Sequence, residues 1–181
     1  MSRIQTIDPK ATQGETKALL DGVNAAFGVT PNLFRVAANS AAALNAMVQM
    51  NGALAKGLLR PKTREAIALA VAELNSCNYC LSAHNAIGKG AGLTDAEIEA
   101  ARELRSTDPK LEAILHFTGL VVRNRAQIGE SELQNLRAAG VTDAEIAEVM
   151  GNIAFNIYTN YLNIVADTEI DFPVVRAHAT A

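Results

Sequence analysis

An all-α fold is predicted by three features of the sequence. Helix start and stop signals recur along nearly all of its 181 residues. The composition is 49% apolar but only 4% aromatic, with no Trp, a mixture suited to packed helices rather than to a β-sandwich. No segment reads as a βαβ unit, which argues against a thioredoxin-type sheet. The length suits one domain over residues 1–181.

The elements follow in order. Residues 13–27 carry Leu19, Leu20, Val23 and Phe27 at near-helical spacing and stop at Gly28. Pro31 opens a short helical turn in "VTPNLFRVAANS", and Ser40 is typed to cap "AAALNAMVQMNGALAK", which Gly57 closes. Pro61 starts "PKTREAIALAVAEL", with Ile67, Ala70, Val71 and Leu74 on one face. Asn75 and Ser76 interrupt it, and Ser76 is expected to cap a new helix beginning at Cys77. Pro109 starts the helix of 108–124, and a long, largely apolar helix covers 144–167.

"GLTDAEIEAARE" (92–103) and "GVTDAEIAEVMG" (140–151) nearly repeat one another at a spacing of 48 residues, each with a T-x-x-E capping box. They suggest a weak internal duplication of a helical hairpin. The second copy then has Arg125, Ile128 and Glu132 where the first has Cys77, Cys80 and His84, so only the first carries a site.

Charge and composition exclude several functions. A net charge of −3 and no run of Lys and Arg argue against a nucleic-acid partner. No apolar stretch approaches the roughly 18 residues that span a bilayer, so no membrane partner is expected. MSRIQTIDPK lacks the apolar core of a signal peptide, and a cytoplasmic location is expected. In a reducing compartment a cysteine pair is more often catalytic or metal-binding than a permanent crosslink.

The chemistry concentrates in "LNSCNYCLSAHNAIGKG" (74–90), which holds both cysteines and one of three histidines. On a helix, Cys77, Cys80 and His84 span about 60° of arc and share a face. Both thiols would sit in the first turn, where free amides and the helix dipole favour a thiolate. His84, one turn below Cys80, could hydrogen-bond that thiol. Inert buried cysteines are an alternative. A structural zinc site wants four ligands in paired sets, and His116 and His178 have no ligand spacing. A c-type haem would need His where Leu81 stands. No metal or cofactor is expected.

A carboxylate that could orient His84 is Glu65, if the helices of 61–74 and 77–90 fold back about Asn75–Ser76. In one unbroken helix Glu65 would lie about 18 Å from Cys77. Glu73 is the competitor, read as a solvated helix-end residue, and a surface pairing of Glu65 with Lys62 or Arg64 is the alternative. "FNIYTNY" could lend Tyr158 or Asn160 to a pocket, although core packing would explain both.

The stretch "REAIALAVAELNSCNYCLSAHNAIGKGAGL" resembles the alkylhydroperoxidase-like branch of the carboxymuconolactone decarboxylase family. That branch has a Glu, eleven residues, then C-x-x-C-x-x-x-H, matched by Glu65, Cys77, Cys80 and His84. "GVTPNLFRVAANSAAAL" resembles the family's N-terminal segment, and "NYLNIVADTEIDFP" resembles the C-terminal end of its peroxidase-related subgroup. The resemblance implies an all-helical homo-oligomer, commonly a trimer or hexamer. It further implies a thiol-dependent peroxidase or disulfide reductase acting on small (alkyl) hydroperoxides in antioxidant defence, with a dithiol or redox protein as reductant. Cys80 would be the nucleophile, although helix-terminus logic alone would choose Cys77. Some members carry a second histidine before the second cysteine; here Tyr79 stands there. An acid–base enzyme of the decarboxylase type, using His84 and Glu65 on a carboxylated or lactone substrate, is the alternative, and the retained cysteine pair argues against it. A non-enzymatic oxidation sensor is a third reading.

Overall fold

A computed structural model describes residues 2–178. Among them are nine α-helices and no strand: α1 (Gly14–Phe27), α2 (Asn32–Ala37), α3 (Ala41–Leu54), α4 (Pro61–Leu74), α5 (Asn78–Gly90), α6 (Asp95–Arg102), α7 (Pro109–Arg123), α8 (Glu130–Ala138) and α9 (Asp143–Ala166). The all-α expectation is met, and no described helix is long and apolar enough to cross a membrane.

The centre is α4. Seven consecutive residues, Ala66 to Ala72, are buried, so this helix is covered all round rather than on the single face its periodicity suggests. It packs against α5, α6, α7 and α9. Small side chains at 66, 68, 70 and 72 let those neighbours approach closely, while Ile67, Leu69 and Val71 fill the space between them. One apolar cluster joins α4 to α5, α6 and the C-terminal tail, and a second joins it to α7, α8 and α9. A third binds α1–α3 to Phe155 and Leu162 of α9.

The duplication is visible and larger than the hairpin its sequence suggests. Helices α4, α5 and α6 correspond to α7, α8 and α9, with starts at 61 and 109 and again at 95 and 143. Both Thr94 and Thr142 close their capping boxes, with Glu97 and Glu145. Gly92 and Gly140 both take positive φ, at 92° and 82°, where a side chain would be strained. The copies diverge at the site, because α8 begins only at Glu130 and Arg125 lies in the preceding turn.

Two local expectations change. Helix α3 ends at Leu54, and Gly57 is not its cap. Its missing side chain instead makes room for the Glu148 carboxylate, which accepts from Leu58 N (2.7 Å) and Leu59 N (3.1 Å). At the α4–α5 break the cap is Cys77, not Ser76. The Cys77 Sγ accepts from Cys80 N at 3.4 Å, while Ser76 turns the chain with φ 53°.

Candidate active site

Ser76 in the left-handed region reverses the chain sharply, and α5 returns alongside α4. That return places Glu65 Oε2 2.8 Å from His84 Nδ1, with side-chain exposures of 15% and 18%. Lys62 pairs with Glu97 at 3.7 Å instead, so the surface alternative for Glu65 is not what forms. Glu73 is not a solvated helix-end residue. It accepts from Arg102 Nε at 2.8 Å and from His178 N at 2.7 Å, in a nearly buried pair that holds the tail to α4 and α6.

Cys77 and Cys80 are free thiols, both buried, with sulfurs 2.8 Å apart. Their environments push the two in opposite directions. The Cys80 hydrogen bond, with backbone donors and the His84 charge, holds the Cys77 thiol below its ordinary value against the cost of burial. Burial drives Cys80 well above its ordinary value, and the adjacent Cys77 adds to that. Of the two thiols, Cys77 is thus the one whose surroundings favour ionisation, in the direction of the helix-terminus argument.

The shared face expected for the three residues is only partly formed. Cys80 and His84 border a cavity of about 240 Å³, whereas Cys77, at the cap, does not. His84 uses Nδ1 on Glu65 and makes no hydrogen bond to Cys80 among the described residues. Cys80 instead accepts from Asn163 Nδ2 at 3.3 Å. Asn160, whose own Nδ2 has no hydrogen-bond partner, is close enough for its amide to favour the Cys80 thiolate.

These asparagines belong to a polar stripe that the sequence reading missed. Asn152, Asn156, Asn160 and Asn163 are all buried on one side of α9. Their spacing of four, four and three residues keeps them in line, and that periodicity in an otherwise apolar helix was the available signal. Asn152 accepts from Arg64 Nε at 3.4 Å, which aims a cation into the cavity lining. Asn160 also accepts from Asn75 at 3.0 Å, tying α9 to the α4–α5 break. Tyr158 is exposed and does not line the cavity.

The remaining walls are apolar. Phe27, Phe34, Phe155 and Phe172 all border this one cavity, although the chain has only five phenylalanines. Tyr79 stands in place of a second histidine. Its hydroxyl accepts from Leu33 N at 3.0 Å, its ring meets Phe172 edge-on at 5.8 Å, and burial raises its ionisation far above the ordinary range. Among the described residues no group of three or more His, Cys, Asp and Glu could hold a metal ion.

Residues 41–122, from α3 to the end of α7 and including all four motif residues, match the model of the carboxymuconolactone decarboxylase family. That match spans 82 of the 181 residues. No curated protein matches the sequence. Among solved structures, a peroxidase-related protein with an alkylhydroperoxidase AhpD core from Ralstonia eutropha JMP134 has a TM-score of 0.82 at 23% identity, covering 94% of this chain and 92% of that one. A peroxidase-related protein from Silicibacter sp. TM1040 has a TM-score of 0.80 at 24% identity, covering 92% and 88%. A cysteine-to-alanine variant of the debrominase Bmp8, in complex with 2,3,4-tribromopyrrole, has a TM-score of 0.76 at 18% identity, covering 94% of each chain. This chain therefore has the alkylhydroperoxidase-like fold.

Proposed function

We propose that this protein is a thiol-dependent peroxidase that reduces apolar organic hydroperoxides through Cys77 and Cys80. The observation that carries the reading is one arrangement: two free thiols in contact, one of which opens with a Glu65-paired His84 onto a phenylalanine-lined cavity. In this reading the pair loses its first proton from Cys77 and its remaining proton passes across the 2.8 Å contact. Cys80, the sulfur that borders the cavity, is then the nucleophile.

The Cys80 thiolate attacks the terminal oxygen of ROOH. The O–O bond breaks, Cys80 becomes a sulfenic acid, and the departing alkoxide takes a proton from His84 to leave as ROH. Glu65 holds the imidazole through Nδ1, which leaves Nε2 for that transfer. Cys77 then attacks the Cys80 sulfur, a disulfide forms, and hydroxide leaves with a proton as water. A dithiol restores the pair. The whole of residues 1–181 serves as one functional domain, and we expect it to assemble as a trimer or hexamer of identical chains.

The cavity favours a second reading over the acid–base alternative. Its aromatic walls suit a planar ring, and the likeness to the debrominase Bmp8 in complex with 2,3,4-tribromopyrrole supports removal of bromine from an aryl substrate as that reading. Both need the thiols; an acid–base lactone enzyme would not.

The test is free-thiol content of the reduced protein after addition of cumene hydroperoxide, with Cys77→Ser and Cys80→Ser in parallel. Rapid loss of both thiols in the wild type, and a sulfenic acid trapped only in Cys77→Ser, is expected. Thiols that react no faster than free cysteine would overturn the peroxidase reading. The same assay with a brominated pyrrole, read as bromide released, decides the second.

A further inference from the structure

The two thiols face different openings. Cys80 borders the apolar cavity and not the second cleft, while Cys77 borders that second cleft, of about 420 Å³, and not the cavity. Tyr79 borders both, and with the tail residues around Phe172 it forms the partition between them. The second cleft runs between the α4–α5 break, the end of α9 and the tail, and its lining includes Asn78, Asn163, Thr168 and Arg176. Two residues on its border, Asn163 and Thr168, are more than nine-tenths buried, and each keeps an oxygen without a hydrogen-bond partner. Such orphaned acceptors are costly unless something donates to them.

Direction of attack gives the cleft its meaning. A thiolate displaces a disulfide sulfur along the line of the breaking bond, entering opposite the leaving sulfur. For Cys77 to be attacked with Cys80 leaving, the incoming thiol must arrive on the side of Cys77 away from Cys80. We infer that the Cys77 cleft is the docking site of the reductant, a small dithiol bearing hydroxyl or amide donors, and that peroxide and reductant reach the cysteine pair through separate openings. The inference rests on the thiol-peroxidase reading for the source of the disulfide. A small molecule is favoured over a protein thiol because Cys77 is only 1% exposed, beneath the tail.

One thiolate of the dithiol bonds to the Cys77 sulfur, the Cys77–Cys80 bond breaks, and Cys80 leaves as a thiolate received by the Asn163 amide. The second thiol then attacks the reductant's own sulfur in the mixed disulfide. It closes a cyclic disulfide and frees Cys77. Two electrons pass from dithiol to protein, and the two thiol protons go to the reduced pair or to water. The dithiol's donors meet Asn163 Oδ1 and Thr168 Oγ1.

The experiment separates the half-reactions. The disulfide form is prepared with diamide, so this arm needs no peroxide, and its reduction by dithiothreitol, which carries two hydroxyls, is followed by stopped flow. Ile164→Trp and Glu169→Trp, both exposed positions bordering only the second cleft, are expected to slow that reduction by about tenfold or more. They are expected to leave oxidation of the reduced protein by cumene hydroperoxide within about twofold. Ile87→Trp, bordering only the apolar cavity, should do the reverse. Unchanged reduction in both cleft variants, or equal slowing of reduction by Ile87→Trp, would overturn the docking assignment. If only a protein dithiol reduces the disulfide at a useful rate, the small-molecule class is wrong. A wild type that cumene hydroperoxide fails to oxidise defeats the peroxidase reading, and the diamide arm still reports on the cleft.

Discussion

Glu65 and His84, nineteen positions apart, meet at 2.8 Å because Ser76 takes a left-handed conformation between the helices that carry them. One residue with φ 53° thus converts a helical separation that would exceed 25 Å, at about 1.5 Å per residue, into a hydrogen bond. The pair is shielded but not sealed, which suits a histidine that must exchange protons with a bound ligand.

Replacing the carboxylate tests that role. Glu65→Gln keeps the shape and one acceptor oxygen but removes the charge. On the proposed mechanism, kcat/KM for cumene hydroperoxide should fall by about tenfold or more, with a larger fall, about 10²-fold, for His84→Gln. Melting temperatures close to wild type, measured alongside, would assign the loss to chemistry rather than folding.

The opposed thiol shifts predict an unusual titration. Thiolate absorbance near 240 nm should show one ionisation below the ordinary thiol range, from Cys77, and a second only well above it. Cys80→Ala removes the hydrogen bond that lowers Cys77, so the early transition should move upward. Stability follows the same signs. The unfolded chain ionises Cys80 near about 8.5 while the folded chain keeps the proton, so stability falls as pH rises through that value, by up to about 1.4 kcal/mol per pH unit from this group. Cys77 contributes oppositely, with stability present above its unfolded value and lost as pH falls through its lowered folded one. Urea unfolding of wild type and Cys80→Ala across pH 7–10 would show the alkaline part of the slope vanish in the variant.

Arg102 ties the tail over the site. Its side chain, 8% exposed, reaches Glu73, Glu99 and the carbonyl of Arg176. Arg102→Met should destabilise the protein by about 3 kcal/mol, since it strands the nearly buried Glu73. A surface salt bridge would cost far less, so a change under about 1 kcal/mol in urea unfolding would show the cluster to be well solvated.

Helix identity was legible because Pro61, Pro109, Ser40 and the two T-x-x-E boxes are local signals, satisfied by atoms within a few residues. The break between their helices allowed Glu65 to meet His84, but the residues alone left its surface pairing open, and the family resemblance made the choice. Cys77 was misplaced by one position, since a thiol is an uncommon cap and Ser76 is a favoured one. Glu73 was misread because its partner, Arg102, lies 29 residues away on another helix. The α9 asparagines sat inside what reads as apolar core. Only the fold places them against Cys80 and Arg64, and no local pattern states which helix faces which.

The phenylalanine cavity carries the last prediction. Phe172 comes from the tail, Phe155 from α9, and Phe27 and Phe34 from the N-terminal helices, so four separate segments supply its walls. A wall of that kind gives little to hydrogen peroxide and much to an aryl or branched alkyl group, because apolar contact scales with the area removed from water. Phe172→Ala should therefore raise KM for cumene hydroperoxide by about tenfold, the effect of roughly 1.4 kcal/mol of lost contact. Turnover of hydrogen peroxide should stay near its wild-type rate. Equal losses on both peroxides would mean that Phe172 acts by holding Tyr79 and the partition in place, and the aromatic cavity would then no longer account for substrate choice.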